Sequence, residues 1–163
     1  MTDGNAFFHR LDPDMCVVTA VAGGERAGCL VGFSSQCSMN PLRFVVWLSK
    51  ENRTFRVAER ADRLAVHLLT RRQRALAELF GGLTGDDGVD KFADVRCTDR
   101  YGGAVVLDDA PAWFVGLVHS RADAGDHVGF VLDPVGFGGT GARGEPSLRL
   151  ADALGIRPGH PAD

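Results

Sequence analysis

The stretch from Gly28 to Pro41, GCLVGFSSQCSMNP, combines side chains that hydrogen bond with side chains that pack. Its central residues alternate between these types and are Gly32, Phe33, Ser34, Ser35, Gln36, Cys37 and Ser38. A glycine in a strand permits close approach of another group. The pattern predicts a strand that lies against a group needing hydrogen bonds on one side and packing on the other. The alternative is a bulged strand whose hydroxyls bond to their own backbone.

Asn52, Arg53 and Thr54 place an amide, a guanidinium and a hydroxyl at the predicted start of a short helix. The first backbone N–H groups of a helix lack partners within it. Together with a guanidinium they form a donor set suited to a phosphate. The alternative is an ordinary capped helix with a solvent-exposed arginine, because Asn and Thr are common caps.

Lys91, Phe92 and His127 are further residues that could contact a ligand. Lys91 is interpreted either as a second cation near a bound anion, with Phe92 beside it, or as a surface lysine. His127 follows Asp126 in a predicted turn and could contact a bound ring. The alternative is a structural histidine, because an Asp-His pair in a turn needs no ligand.

Short apolar runs predict the strands that must position these side chains. The predicted strands are residues 16–22, the stretch from 28, residues 42–48 and 64–69, a short strand near 95, and residues 113–119 and 127–135. Glycine pairs and the sequence Ala124-Gly125-Asp126 predict hairpin turns. One helix is expected from Asn52 or Thr54, and another after the capping box Thr70-x-x-Gln73. Six or seven short strands with two small helices predict a single antiparallel barrel domain over residues 1–163, with a Gly/Pro-rich tail from about 136.

Composition narrows the class of protein. A chain of 163 residues with 45% hydrophobic content can form one domain with a sizeable core. A formal net charge of −3 and the lack of a long basic run argue against nucleic acid as a partner. The N-terminus lacks a signal-peptide pattern, and no apolar run reaches the roughly 18 residues of a spanning helix. We therefore expect a cytoplasmic protein without a membrane partner.

Neither the cysteines nor a glycine-rich stretch near the C-terminus predicts a functional site. The four cysteines form no CxxC pair and no histidine lies at metal-ligand spacing from two of them, so no metal site is predicted. Cys16, Cys29 and Cys37 are expected to be buried, reduced thiols. Residues 139–144 spell GxGxxG, but too few residues follow them to build a dinucleotide-binding fold.

Four segments resemble the signature motifs of the flavin reductase-like family, the FMN-binding split barrels. In that family a strand with Gly-x-Thr bends through small residues into Ser-x-Ser and then Pro. Gly28 matches the leading glycine, and Gly32 and Phe33 match the bend of small residues. Gln36 and Ser38 match the Ser-x-Ser, and Pro41 matches the proline. The other segments are residues 50–54 (KENRT), 76–80 with 90–92 (LAELF and DKF), and 125–127 (GDH). The segments follow the family's order, and the resemblance as a whole covers roughly residues 14–135.

The resemblance implies a mainly β fold, an antiparallel split β-barrel of Greek-key type with two or three short helices. It implies FMN, or FAD, as cofactor, held at its ring by residues 32–38, at its phosphate by Asn52, Arg53 and Thr54, and near Lys91 and Phe92. NADH or NADPH would supply a hydride, with His127 positioning the nicotinamide or the flavin. A homodimer is implied because the family's cofactor lies at a subunit interface. Reduced flavin would then serve a monooxygenase partner.

Two departures from the family pattern keep alternatives open. Leu30 stands where the family has Thr, and Gln36 replaces a serine, so two expected hydroxyls are absent. The alternatives are a flavin carrier, a flavin- or deazaflavin-binding split-barrel protein without reductase activity, a barrel that has lost its cofactor, and a small scaffold dimer without a ligand.

Overall fold

The fold is mainly β and antiparallel, which confirms the predicted fold class. A computed structural model describes residues 5–82, 90–141 and 144–156. Its strands are β1 (Cys16–Ala22), β2 (Glu25–Val31), β3 (Ser34–Met39), β4 (Leu42–Ser49), β5 (Arg63–Leu68), β6 (Cys97–Arg100), β7 (Ala104–Leu107), β8 (Ala112–Asp123) and β9 (His127–Gly138). Its helices are α1 (Ala6–His9), α2 (Arg53–Ala58), α3 (Arg74–Gly82) and α4 (Leu150–Ala153). Within these residues, no helix is long and apolar enough to span a bilayer.

Seven strands form one sheet in the order β2-β1-β5-β8-β9-β4-β3, and β6 and β7 form a separate ribbon. The two edge strands of the large sheet, β2 and β3, are consecutive in the chain. Only Gly32 and Phe33 lie between them. One bent stretch of backbone therefore supplies both edges of the sheet, and Phe33 stands at the bend.

The first hairpin follows directly from the sequence. Ala22 pairs with Glu25, and the two residues between them, Gly23 and Gly24, have φ angles of +56° and +78°. Positive φ at both central positions defines the type I′ turn, whose twist matches that of paired strands. The turn fixes a register that places Cys16 opposite Val31 at the start of the bend.

Both faces of β1 are buried, which explains why its sequence is an almost continuous apolar run. Cys16 and Val18 belong to the apolar cluster covered by α2, whereas Val17 belongs to the cluster beneath α3. Two buried polar side chains tie the β6–β7 ribbon to this arrangement. Thr19 Oγ1 donates to Val105 O at 2.6 Å, and His67 Nε2 accepts from Leu107 N at 3.0 Å.

Both predicted helices are present with the expected starts. Asn52 is the N-cap of α2, and its Oδ1 accepts from Thr54 N at 2.9 Å. Before α3, Gln73 Oε1 accepts from Thr70 N at 2.9 Å, as the capping box predicts. The described residues contain two further four-residue helices, α1 and α4.

One local prediction was wrong, and two strands have bounds that differ from the predicted ones. The short strand expected near Val95 begins at Cys97, because residues 90–96 form turns in which Phe92 N donates to Asp90 Oδ1. Cys37 is exposed rather than buried, since it lies on edge strand β3. The last strand continues to Gly138, beyond the expected start of the tail. After it, Ser147 bridges to Thr70 and Leu148 is buried, so this part of the tail packs on its own domain.

Candidate functional site

The rings of Phe33 and His127 contact each other at one end of the sheet. Their centroids are 5.0 Å apart and their planes are tilted by 53°. Phe33 comes from the bend between β2 and β3, and His127 is the first residue of β9. Strand β4 joins them, because Phe33 O accepts from Trp47 N at 2.9 Å and Ser49 pairs with His127. The fold therefore brings together two predicted site residues that are distant in the sequence.

Phe33 is 58% exposed although it is a large apolar side chain. Trp47 lies on the same face of the sheet, over Gly129, its partner across the strands. A Cβ at Gly129 would come within 2.7 Å of the indole ring, so this flat packing requires glycine. We call the surface formed by Phe33, Trp47 and His127 the aromatic corner. It presents an apolar face to which a planar group could bind.

Strand β3 forms the polar edge beside the aromatic corner. Its register with β4 shifts between Gln36 and Ser38, which makes Cys37 the extra residue of a bulge. Gln36 Nε2 donates to Ser38 O at 3.1 Å, and Ser34 Oγ lies 3.4 Å from the Cys16 thiol. The bulge of the bulged-strand alternative is present, but here the side chain that bonds to the strand's own backbone is the Gln36 amide, and the Ser34 hydroxyl contacts a thiol. Ser35 is exposed and keeps a hydroxyl at the strand surface.

The predicted phosphate-binding residues lie next to the corner, because Asn52 N donates to Ser49 O at 3.0 Å. The side chains of Asn52, Arg53 and Thr54 form hydrogen bonds with other residues of the protein. Thr54 is 1% exposed, and its hydroxyl bonds to the Cys29 thiol. Arg53 donates to Glu25 Oε2 at 2.9 Å and to Arg26 O at 3.1 Å. This geometry is that of a capped helix with a paired arginine, and a role in phosphate binding stays a prediction.

Lys91 is buried, so the interpretation as a surface lysine was wrong. Its Nζ donates to Gly28 O at 2.9 Å and to Phe80 O at 3.0 Å, which ties edge strand β2 to the last turn of α3. Burial lowers the pKa of this ammonium group. Phe92 is also buried and packs edge-on against Phe80 at 5.5 Å. Direct contact of Lys91 or Phe92 with a cofactor stays a prediction.

Two buried thiols lie behind predicted site residues. Burial raises the pKa of Cys29 to about 11, although the hydrogen bond from Thr54 and the charge of Lys91 oppose that rise. Burial also raises the pKa of Cys16, whose sulfur contacts Ser34. Both groups therefore remain protonated near neutral pH and act as packing and hydrogen-bonding groups rather than nucleophiles. Among the residues that the structure describes, no cluster of three His, Cys, Asp or Glu side chains could hold a metal ion.

Trp47 and Lys50 contribute to this region but were not among the predicted site residues. Trp47 places its indole ring over Gly129, and its backbone N–H donates to Phe33 O. Lys50 fixes the turn before His127, because its N–H donates to Asp126 O and its Nζ pairs with Asp123 at 2.9 Å. From the sequence, the role of Trp47 could be inferred only through Gly129, which leaves room for the indole ring. That inference requires the register between β4 and β9, which are distant in the chain.

A family model for the flavin reductase like domain matches residues 8–152. One curated relative, a probable flavin reductase of Rhizobium meliloti (strain 1021), is 28% identical over 131 residues. The match covers 78% of this chain but 41% of the relative. The chain thus spans less than half the length of that protein, and the match identifies the shared domain.

Solved structures show the same fold at lower identity. An NADH:FAD oxidoreductase of Streptomyces globisporus C-1027 is 21% identical with a TM-score of 0.79, and the match covers 91% of this chain and 90% of that one. A homologue of nitrilotriacetate monooxygenase component B from Mycobacterium thermoresistibile is 22% identical with a TM-score of 0.78, covering 90% and 82%. These likenesses confirm the predicted fold.

Proposed function

The chain belongs to the flavin reductase like domain family, and from that membership we propose that it is a flavin reductase. It binds FMN, or FAD, and takes a hydride from NADH or NADPH. The observation that carries the proposal is the contact between Phe33 and His127, which joins the two family motifs at an exposed aromatic surface. The likeness to an NADH:FAD oxidoreductase supports the same reaction class.

The chemistry of the corner fits a flavin. An isoalloxazine ring has two flat faces and a rim of hydrogen-bonding atoms, so it needs an apolar surface beside polar groups. The exposed ring of Phe33 offers the surface. Ser35 on β3, His127 and the backbone of the bend offer the polar groups.

The chain's own residues would bind and orient, while the flavin supplies the chemistry by accepting a hydride from nicotinamide C4. His127 would position the nicotinamide against the flavin held at Phe33. Asn52 and Arg53 would meet the phosphate, which requires the guanidinium to exchange Glu25 for the ligand. Lys91 would add positive potential behind β2 while holding the carbonyl of Gly28.

We also propose a homodimer and a cytoplasmic location. Phe33, Met39 and Leu42 are exposed to 58%, 85% and 46%, and all three lie at or near edge strand β3. Natural edge strands normally carry charged residues, which prevent pairing with another chain, but β3 contains none. A second copy on this edge would cover it and lie close to the flavin.

The likeness to a monooxygenase component B supports a monooxygenase as the recipient of reduced flavin.

A second candidate is a flavin- or deazaflavin-binding protein without reductase activity. It is favoured by the internal bonds of Arg53 and Thr54, which leave no preformed phosphate site at the start of α2. Flavin-dependent oxidation of NAD(P)H separates the two candidates, because only the reductase catalyses it.

Titration with FMN tests the binding part of the proposal. Flavin fluorescence should be quenched on binding beside Phe33 and Trp47, and the titration should saturate. Purified protein should then oxidise NADH or NADPH only when a flavin is added or already bound. If FMN, FAD and riboflavin all cause neither quenching nor a shift of Tm, the proposal is overturned.

A further inference from the structure

The carboxylate of Asp126 lies against the ring of the next residue. Asp126 Oδ1 is 2.7 Å from His127 Nδ1. An ionised carboxylate only accepts hydrogen bonds, so Nδ1 carries the proton and donates. In the neutral ring Nε2 is then a bare acceptor. Within the described ranges, this second nitrogen has no hydrogen-bond partner.

Hydrogen bonds on both sides of the turn hold this arrangement in place. Lys50 N donates to Asp126 O at 2.9 Å, and Ala124 N donates to His127 O at 3.0 Å. The carboxylate of Asp123 accepts a hydrogen bond from Lys50 Nζ at 2.9 Å and another from Gly125 N at 3.0 Å. The turn is therefore tied to the end of β4. The ring of His127 is oriented before any ligand arrives, which reduces the entropy lost on binding.

The ring of His127 is tilted by 53° to the ring of Phe33, so the two rings do not stack face to face. The ring nitrogens of an imidazole form hydrogen bonds in the plane of the ring. With Nε2 as an acceptor, the complementary ligand group is a donor carried by a planar ring. The nicotinamide has one such group, the N–H₂ of its carboxamide.

We propose that Asp126 is a positioning residue for the reduced nicotinamide. It fixes His127 with Nδ1 protonated, so that Nε2 accepts a hydrogen bond from the carboxamide of NADH or NADPH. Asp126 itself does not touch the co-substrate. The inference rests on the proposed reductase function and adds to it the group that sets the protonation pattern of the imidazole.

The same pair of strands supplies a matched control. His119 on β8 lies with Nδ1 3.5 Å from Asp133 Oδ2 on β9, and Asp133 also accepts from Arg43 Nε at 2.7 Å. Asp133 pairs with Leu117 and lies several residues along β9 from the turn. Replacing Asp133 therefore removes a carboxylate from a histidine that is not part of the aromatic corner.

The test combines NMR with kinetics on the full chain and on Asp126→Ala, Asp126→Asn and Asp133→Ala. Long-range ¹H–¹⁵N spectra without flavin, recorded at about pH 8.5, roughly two units above the ordinary imidazole pKa, report which nitrogen carries the proton. The His127 signals are assigned by their loss in His127→Gln. Steady-state kinetics and FMN titrations follow on the same preparations.

Wild-type protein should show Nδ1 of His127 protonated, and Asp126→Ala should shift the proton toward Nε2. The nicotinamide KM should rise by about three- to tenfold, the range for one lost hydrogen bond, with kcat and FMN affinity nearly unchanged. Asp126→Asn keeps an acceptor oxygen and should recover most of the loss. Asp133→Ala should leave the His127 signals and KM unchanged.

Three results would overturn the inference while the reductase stands. They are an unchanged proton position in Asp126→Ala, a changed position with an unchanged nicotinamide KM, and a loss that falls on FMN affinity instead. A wild-type protein that binds flavin but never oxidises NAD(P)H would overturn both the reductase and this role. The wild-type assay thus separates the two failures.

Discussion

Phe33 and His127 lie in ring contact although they belong to opposite halves of the chain. The contact depends on two features of the sheet. The bend at Gly32 and Phe33 carries the chain from one sheet edge to the other, and β4 sets the start of β9 beside that bend. The segments around Phe33 and His127 therefore lie at one place, where an exposed aromatic ring and an imidazole meet.

Replacing Phe33 by Ala should weaken the binding of FMN and riboflavin equally, by roughly 0.5–1.5 kcal/mol, the scale of a lost aromatic contact. Both ligands contain the ring, and only the ring is expected to touch Phe33. Stability should change little because the side chain is 58% exposed. Phe137→Ala is the control, since Phe137 is 63% exposed but lies at the far end of β9. Equal affinities for wild type and Phe33→Ala would place the flavin elsewhere.

Arg53 and Arg60 provide a matched pair for the phosphate prediction. Both guanidinium groups contact Glu25 at 2.9 Å, but only Arg53 stands at the start of α2. Arg53→Ala should weaken FMN by about 1–3 kcal/mol, the range for a charge-assisted hydrogen bond, and leave riboflavin unaffected. Arg60→Ala should leave both affinities unchanged. If Arg53→Ala affects FMN and riboflavin alike, or neither, the phosphate does not bind at α2.

Lys91→Met should destabilise the fold. The substitution keeps the length of the side chain but removes both hydrogen bonds, so Gly28 O and Phe80 O lose a buried partner. Each unsatisfied carbonyl costs about 1–3 kcal/mol. Lys50→Met is the control, because Lys50 is an exposed lysine in a surface ion pair with Asp123. Denaturant unfolding with equal midpoints for Lys91→Met and wild type would contradict this role.

His67 should make stability depend on pH between about 6.5 and 4. It is fully buried, with Nδ1 donating to Val17 O and Nε2 accepting from Leu107 N. Burial lowers its pKa from 6.5 to about 4, and the hydrogen bond to Val17 opposes this shift. The unfolded chain thus binds a proton that the folded chain rejects, so the contribution is complete above pH 6.5 and is lost as pH falls toward 4.

The size of that loss follows from the shift, at about 1.4 kcal/mol for each pKa unit, or roughly 3 kcal/mol in all. The free energy of unfolding should be measured by urea denaturation at several pH values for wild type and His67→Gln. Subtracting the two curves removes the contribution of the carboxyl groups. Parallel curves across this range would show that His67 does not titrate as the buried geometry requires.

The fold could be predicted from the sequence, because hairpin turns, apolar runs and the order of motifs are local signals, whereas the location of the site stays a prediction. The Asn52 cap, the Thr70–Gln73 box and the first hairpin all formed where the residues indicated. The environment of polar side chains could not be predicted in this way. Lys91 was buried and Cys37 exposed because neighbouring strands and helices, not adjacent residues, decide solvent access.

The same limit applies to Arg53 and Thr54. Their types and spacing match a phosphate site, yet Glu25 and Cys29, which come from β2, already bond to them. These contacts depend on how α2 packs against β2. A local motif gives no information about that packing.

Anaerobic reduction of FMN by a reduced nicotinamide tests the central claim most directly. The absorbance of oxidised flavin at about 450 nm is followed with NADH or NADPH in excess and protein in catalytic amount. A flavin reductase predicts a loss of absorbance at a rate proportional to protein concentration, and a slower rate at limiting nicotinamide for His127→Ala. A rate with protein no greater than the rate without it, for FMN and FAD and for both nicotinamides, would contradict the claim.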